Sequence, residues 1–163
     1  MSNDNITFIG IDNRTNGSIG IIDHRGHTSY LPMPTVRVRG KKIIDLGEVK
    51  DIISSYVGEP LVIVTLPIRT LDKIKQTYGN LQSVLEQFYM TLIYINRKSF
   101  NKNIMRLNPR EWSLTARSFN ERSRIIGIEQ FPTHSETIKS IGNATGILLA
   151  DHARKYYVED SDE

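Results

Sequence analysis

The stretch that decides the fold lies at residues 8–22 and reads Phe-Ile-Gly-Ile-Asp-Asn-Arg-Thr-Asn-Gly-Ser-Ile-Gly-Ile-Ile. Its two apolar runs predict two strands of a central sheet, because Ile and Phe pack well on a pleated surface that is buried on both faces. Asn16-Gly17 between the runs predicts a tight turn, since both residues tolerate positive φ. The stretch therefore places Asp12 at the end of the first strand.

The residues after this stretch predict an α/β fold. Thr28–Leu31 completes an antiparallel meander of three strands, which Pro32 and Pro34 end. The basic segment 36–42 is predicted to be a loop or a ragged strand. After this segment, helices are expected to alternate with strands and to end the chain as a pair. The predicted helices are Asp45–Tyr56, Asn80–Asn96, Phe119–Glu129 and Gly142–Tyr157. The predicted strands between them are Leu61–Thr65 and Ile104–Leu107. This order predicts a mixed five-stranded sheet flanked by helices.

Length and charge fit one domain with an acidic tail. The chain has 163 residues, of which 39% are hydrophobic, and this is enough to bury a core. We predict a single domain over 1–157 and a disordered tail over 158–163, because the tail holds Glu159, Asp160, Asp162 and Glu163. The net charge is +3 with this tail included, so the body is basic. A basic body suits either a polyanion-binding surface or an ordinary solvated one.

The composition also limits the compartment and the chemistry. The chain has no cysteine, which excludes disulfides and thiolate metal sites. The first residues are polar and lack the pattern of a secretory signal, and no stretch approaches the roughly 20 apolar residues of a membrane helix. We therefore expect a cytoplasmic protein without a membrane partner.

Eight short segments, taken in their order and separation, resemble one family over nearly the whole chain. The segments are Ile9–Asp12, Gly17–Ile22, Met33-Pro34, Asp45-Leu46, Val62–Pro67, Asn108–Trp112, Phe131-Pro132 and Gly142–Ala150. In these segments the chain resembles the RuvC-like Holliday junction resolvases, in particular the short versions carried by bacteriophages. The resemblance implies a ribonuclease H fold, a homodimer, branched DNA as the partner, and the cytoplasm of a bacterial host.

The resemblance also implies a cluster of metal-binding acids, of which only Asp12 is present. Two-metal phosphodiester cleavage needs three or four carboxylates around the ions. Where the family has acids, this chain carries Thr65, Asn143 and Thr145, and neutral groups do not replace the missing charge. The sequence therefore predicts weak or absent Mg²⁺ binding at Asp12 and little or no cleavage. No cofactor is expected, and Mg²⁺ would be required only if the site is active.

Basic residues are predicted to contact DNA phosphates in three places. Arg14 would supply positive charge beside Asp12, where the family would hold metal. The other two places are the basic segment and the loop after the fourth strand: Arg37, Arg39, Lys41 and Lys42 in the first, and Arg69, Lys73 and Lys75 in the second.

Three functions stay open on the sequence alone. The first is a RuvC-like protein that binds branched or duplex DNA through a degenerate, nuclease-inactive site. The second is an active Mg²⁺-dependent junction resolvase, and the third is a protein-interaction module that regulates a host or phage factor. Asp12 also has a purely structural interpretation, as a turn residue that bonds its own backbone.

Overall fold

A mixed sheet of five strands forms the centre of the protein. The computed structural model describes residues 5–56, 58–66, 81, 83–111 and 114–161. Its strands are β1 (Thr7–Ile11), β2 (Ser18–Ile22), β3 (Thr28–Pro32), β4 (Thr35–Val38), β5 (Lys41–Ile44), β6 (Leu61–Thr65) and β7 (Thr91–Tyr94). The central sheet has the order β3-β2-β1-β6-β7, in which β1 to β3 are antiparallel and β6 and β7 run parallel to β1. The predicted α/β fold with a mixed five-stranded sheet is confirmed.

Helices cover both faces of this sheet. They are α1 (Leu46–Ser54), α2 (Ala116–Gln130), α3 (Ser135–Ile141) and α4 (Thr145–Ser161). One core cluster lies between the sheet and α2, α3 and α4, and a second lies between the sheet and α1. β1 is buried along its whole length because its side chains alternate between these two cores, as Phe8 and Ile9 do. None of the helices in the described ranges is long and apolar enough to cross a membrane.

The structure confirms the predicted start of α1 and extends the last helix beyond its predicted end. Asp45 caps α1 as predicted, and its Oδ1 accepts a hydrogen bond of 3.2 Å from the backbone N–H of Glu48. α4 continues to Ser161, so the helix includes the first residues of the predicted acidic tail.

Glycines let α4 lie directly on the first two strands. A Cβ added at Gly10 would stand 2.0 Å from the backbone oxygen of Gly146, and one at Gly20 would stand 2.2 Å from Cα of Ile147. An added Cβ would therefore clash with the backbone of α4 at both positions, so only glycine fits there. This close approach fixes where the first turn of α4 meets the ends of the strands.

The prediction of one long helix over residues 80–96 is wrong. The residues described at 81 and 83–85 are helical, but β7 follows at Thr91–Tyr94 and provides the fifth strand. The strand predicted at Ile104–Leu107 is also wrong, because a π-helical turn occupies Phe100–Ile104. The apolar spacing of 80–96 fits a helix locally, but parallel pairing with β6 decides its second half.

Two further segments differ from their predictions. The basic segment forms a hairpin of β4 and β5, so the strand alternative holds and the loop does not, while the return strand Lys41–Ile44 was not predicted. The last helix was predicted from Gly142, but this glycine ends α3 with φ of 93°, and α4 begins at Thr145. The sequence prediction missed α3 because it has only seven residues and follows Pro132 closely.

Candidate functional site

The candidate site lies where the carboxyl ends of two parallel strands meet the start of α4. Asp12 follows β1 directly, and Thr65 is the last residue of β6, paired with Ile11 in the parallel ladder. Thr145 begins α4, and Asn143 precedes it by two residues. The topology thus brings Asp12, Asn143 and Thr145 into one hydrogen-bonded cluster, with Thr65 on the adjacent strand.

Asp12 is paired with Arg14. The carboxylate is 2% exposed, and the guanidinium grips both of its oxygens, with Nε at 2.9 Å from Oδ1 and Nη2 at 2.5 Å from Oδ2. Nη2 also donates a 2.6 Å hydrogen bond to Oδ1 of Asn120, and the guanidinium lies 5.2 Å from the ring centre of Phe119. The Thr145 hydroxyl donates a further hydrogen bond to Oδ2 of Asp12. The negative charge of Asp12 is therefore balanced by Arg14, and protein groups hydrogen-bond to both of its oxygens.

The charges of the cluster affect two pKa values. Burial opposes the charged form of Arg14, but the charge and hydrogen bonds of the Asp12 carboxylate outweigh it, so the pKa of Arg14 is raised. Burial also raises the pKa of the Tyr30 phenol, and the negative charge of Asp12 adds to this rise. Arg14 stays cationic and Tyr30 stays neutral, so neither group is suited to proton transfer near neutral pH.

Asn143 joins the turn after β1 to the start of α4. Its Oδ1 accepts hydrogen bonds from the hydroxyl of Ser18 at 2.6 Å and from the backbone N–H of Thr145 at 3.2 Å. Its Nδ2 donates to the backbone oxygen of Asn16 at 2.8 Å. Ser18 in turn accepts a 3.0 Å hydrogen bond from the backbone N–H of Gly146. A neutral amide fits this position well, because both of its polar atoms are used.

Thr65 has a structural role, because its hydroxyl bonds the neighbouring strand. Its buried hydroxyl donates a 2.8 Å hydrogen bond to the backbone oxygen of Ile11. This bond satisfies the hydroxyl inside the sheet and gives the site no negative charge. A carboxylate at this position would have to point elsewhere, since it could not donate that bond.

The cluster does not have the ligands of a divalent metal site. Within the described ranges, no three acidic or histidine side chains stand close enough together to hold an ion. Asp12 contributes one carboxylate, which Arg14 and Thr145 already occupy. Mg²⁺ prefers several hard, charged oxygen ligands, so this arrangement does not fit it.

The predicted DNA-binding residues lie in different surroundings. Arg14 lies inside the cluster, beside Asp12 as the sequence indicated, and it forms an ion pair with that carboxylate. The four basic residues of the hairpin are exposed: Arg37, Arg39, Lys41 and Lys42. The remaining three predictions, Arg69, Lys73 and Lys75, lie outside the described residues.

Sequence reasoning missed four residues of the site. Ser18, Tyr30 and Asn120 take part through the hydrogen bonds or charge described above, and only Ser18 had a signal, its place after the turn glycine. Asn13 is 7% exposed, and among the residues the structure describes neither of its amide atoms has a hydrogen-bond partner.

A cleft of about 490 Å³ adjoins the cluster. It is lined on one side by the turn after β1, including Asn16, and on the other by Thr35 and Lys42 of the hairpin. Asn120, which bonds Arg14, also lines it. The cleft therefore connects the basic hairpin with the Asp12–Arg14 pair.

Comparison of the chain with protein-family models and with curated proteins finds no match.

Proposed function

We propose that the chain is a RuvC-like protein with a ribonuclease H fold that binds branched or duplex DNA without cleaving it. The observation that carries the proposal is the Asp12–Arg14 ion pair at the end of β1. The arginine places one fixed positive charge on the oxygens that a nuclease of this kind would offer to metal. A site of this type can bind a DNA phosphate, but without metal ions it cannot activate a water molecule for cleavage.

The loss of cleavage follows from charge. A pair of Mg²⁺ ions must be held against their own hydration by several carboxylates, and each ion stabilises charge on an attacking or leaving oxygen. Asp12 is the one carboxylate among the four positions compared, and it is bonded to Arg14. The hydroxyls of Thr65 and Thr145 and the amide of Asn143 are committed to internal hydrogen bonds.

Support for DNA binding comes from the basic hairpin and its position. Its four cations are exposed, and one of them, Lys42, lines the cleft beside the cluster. Lys and Arg at a phosphate backbone gain free energy by releasing counterions, which makes such binding strongly dependent on salt.

A synthetic four-way junction tests the proposal directly. We expect the protein to bind the junction at low salt, to lose affinity steeply as salt rises, and to leave both strands intact with Mg²⁺ or Mn²⁺. Symmetric nicks on opposing strands would overturn the inactive site in favour of a working resolvase. No binding at low salt would overturn the DNA role and favour the interaction module.

Restoring the acids should create a metal site. In the variant Arg14→Ala/Asn143→Asp/Thr145→Asp, three carboxylates stand together at the start of α4, and we expect Mn²⁺ to raise its thermal midpoint. An ion at about 100 times its Kd adds about 2.7 kcal/mol to the free energy of unfolding. Differential scanning calorimetry with and without Mn²⁺ measures the shift.

The controls for this variant are the unaltered protein and Arg14→Ala alone, and neither should respond to Mn²⁺. Each lacks acids at positions 143 and 145 and so offers at most the single carboxylate of Asp12. A triple variant that ignores Mn²⁺ would show that these positions do not form the degenerate metal site that we propose.

A further inference from the structure

The hairpin of β4 and β5 stands exposed as a narrow two-stranded ribbon. Every residue from Val36 to Ile43 is exposed, whereas Ile44 at its base is buried. The strands pair in antiparallel register, with Val36 opposite Ile43 and Arg37 opposite Lys42. An isolated ribbon of this size buries little surface, so packing does not explain its side chains.

The tip of the ribbon carries an arginine in an unfavourable conformation. Arg39 has φ of 52° and Gly40 has φ of 78°. A hairpin with a two-residue loop requires positive φ at both loop residues. Gly and Asn are the residues that favour such a position, and an arginine there carries a conformational penalty. The side chain of Arg39 is also exposed, so burial does not compensate for this penalty. The unfavourable conformation therefore points to a role in binding.

The two faces of the ribbon differ in character. Val36, Val38 and Ile43 lie on one face together with Lys41, and the three apolar side chains are 44%, 47% and 42% exposed. Arg37 and Lys42 lie on the other face, which borders the cleft through Lys42. No acidic residue occurs between Thr35 and Ile44. The ribbon therefore combines exposed apolar side chains with a cluster of basic residues that contains no acid.

We propose that this ribbon enters the major groove of a duplex arm of the bound DNA. The inference rests on the proposed function, and it names the element and the groove that make the contact. A major groove about 12 Å wide admits a two-stranded β-ribbon, and thymine methyl groups on its floor are apolar partners for side chains such as valine. The cations of the ribbon meet the phosphates that border the groove.

The place of the ribbon in the fold fits this contact. Its base is tied to the sheet, because Asp45 donates its backbone N–H to the oxygen of Pro34 at 2.9 Å, and Met33 donates to Gly17 at 3.1 Å. The second of these bonds holds the base against the turn that follows Asp12. A duplex held by the ribbon therefore lies beside the cleft and the Asp12–Arg14 pair.

Arg39→Asn separates binding from structure at the tip. Asparagine favours the conformation that Arg39 adopts, so the thermal midpoint should stay the same or rise. Binding of a fluorescent duplex should weaken, and the slope of log K against log salt should fall by about 0.9 for the lost phosphate contact. Lys155→Asn, which removes an exposed cation near the far end of α4, is the matched control and should leave both unchanged.

Val36→Thr/Val38→Thr/Ile43→Thr tests the apolar face. Threonine keeps the branched shape that suits a strand but removes apolar contact, so we expect duplex affinity to fall several-fold with an unchanged salt slope. Ile125→Thr, at another exposed isoleucine, is the matched control and should bind as the unaltered protein does. Contact through phosphates alone would leave the affinity of the triple variant unchanged and would overturn the groove contact.

A footprint identifies the groove. Guanine N7 lies in the major groove, so the bound protein should protect N7 from methylation by dimethyl sulfate over one duplex arm. If the unaltered protein binds DNA but leaves N7 reactive, the ribbon inference fails while the proposed function stands. If the threonine variant loses self-association and keeps its DNA affinity, the ribbon joins two copies of the chain and the inference is overturned.

Discussion

Replacing Arg14 with methionine is expected to lower the free energy of unfolding by roughly 3 kcal/mol, because it leaves a buried carboxylate without its partner. Asp12 is 2% exposed, and the bond from Thr145 alone cannot replace the two-pronged contact of the guanidinium. Methionine keeps much of the length and apolar bulk of the side chain, so the change isolates charge and hydrogen bonding. Urea unfolding followed by circular dichroism measures the difference.

Two controls separate this pair from an ordinary surface ion pair. Arg117→Met removes an exposed arginine whose contact with Glu121 is 3.4 Å long, and its effect should stay within about 0.5 kcal/mol. Asp12→Asn/Arg14→Met removes both charges and should recover most of the lost stability, since a neutral amide can still accept the bond from Thr145. Equal effects of Arg14→Met and Arg117→Met would contradict the buried pair.

The convergence of the site was predictable, but its internal partners were not. Strand ends and a helix start meet at one edge of such a sheet, so the cluster of Asp12, Asn143 and Thr145 follows from topology. The sequence placed Arg14 beside Asp12 but did not reveal that the guanidinium bonds both carboxylate oxygens and Asn120. Side chains on alternate residues of a turn can meet only if the backbone folds back, and sequence spacing does not reveal that.

The fold was predictable where the pattern was local. The strands over 7–11, 18–22 and 61–65 are buried on both faces, and their continuous apolar runs indicate this directly. β7 could not be identified in the same way, because Thr91–Tyr94 is a half-exposed edge strand whose partner β6 lies far away in the sequence. The return strand of the hairpin was not identified either, since its tip, Arg39-Gly40, carries an arginine where an Asn-Gly pair would have indicated the turn.

The contact between α4 and the sheet determines whether the cluster can form at all. Thr145 reaches Asp12 only because the first turn of α4 lies directly on β1 and β2, and Gly10 and Gly146 make that approach possible. In a chain with a side chain at this seam, α4 would have to move outward, and the hydrogen bonds at its start would lengthen together. The seam of small residues is therefore a requirement of the site as well as of the core.

Gly10→Ala should consequently destabilise the protein by roughly 3 kcal/mol, the upper part of the range for overpacked cores, with a fall of about 10 °C in the thermal midpoint. The added Cβ would lie 2.0 Å from the oxygen of Gly146 and 2.7 Å from the nitrogen of Ala150, and both are backbone atoms that cannot rotate away. Gly47→Ala is the matched control, because its Cβ would meet only Asp45 Oδ1 at 3.5 Å, and alanine favours a helix. Calorimetry should show Gly47→Ala unchanged or slightly more stable, and equal midpoints for the two variants would contradict the close packing of α4 on β1.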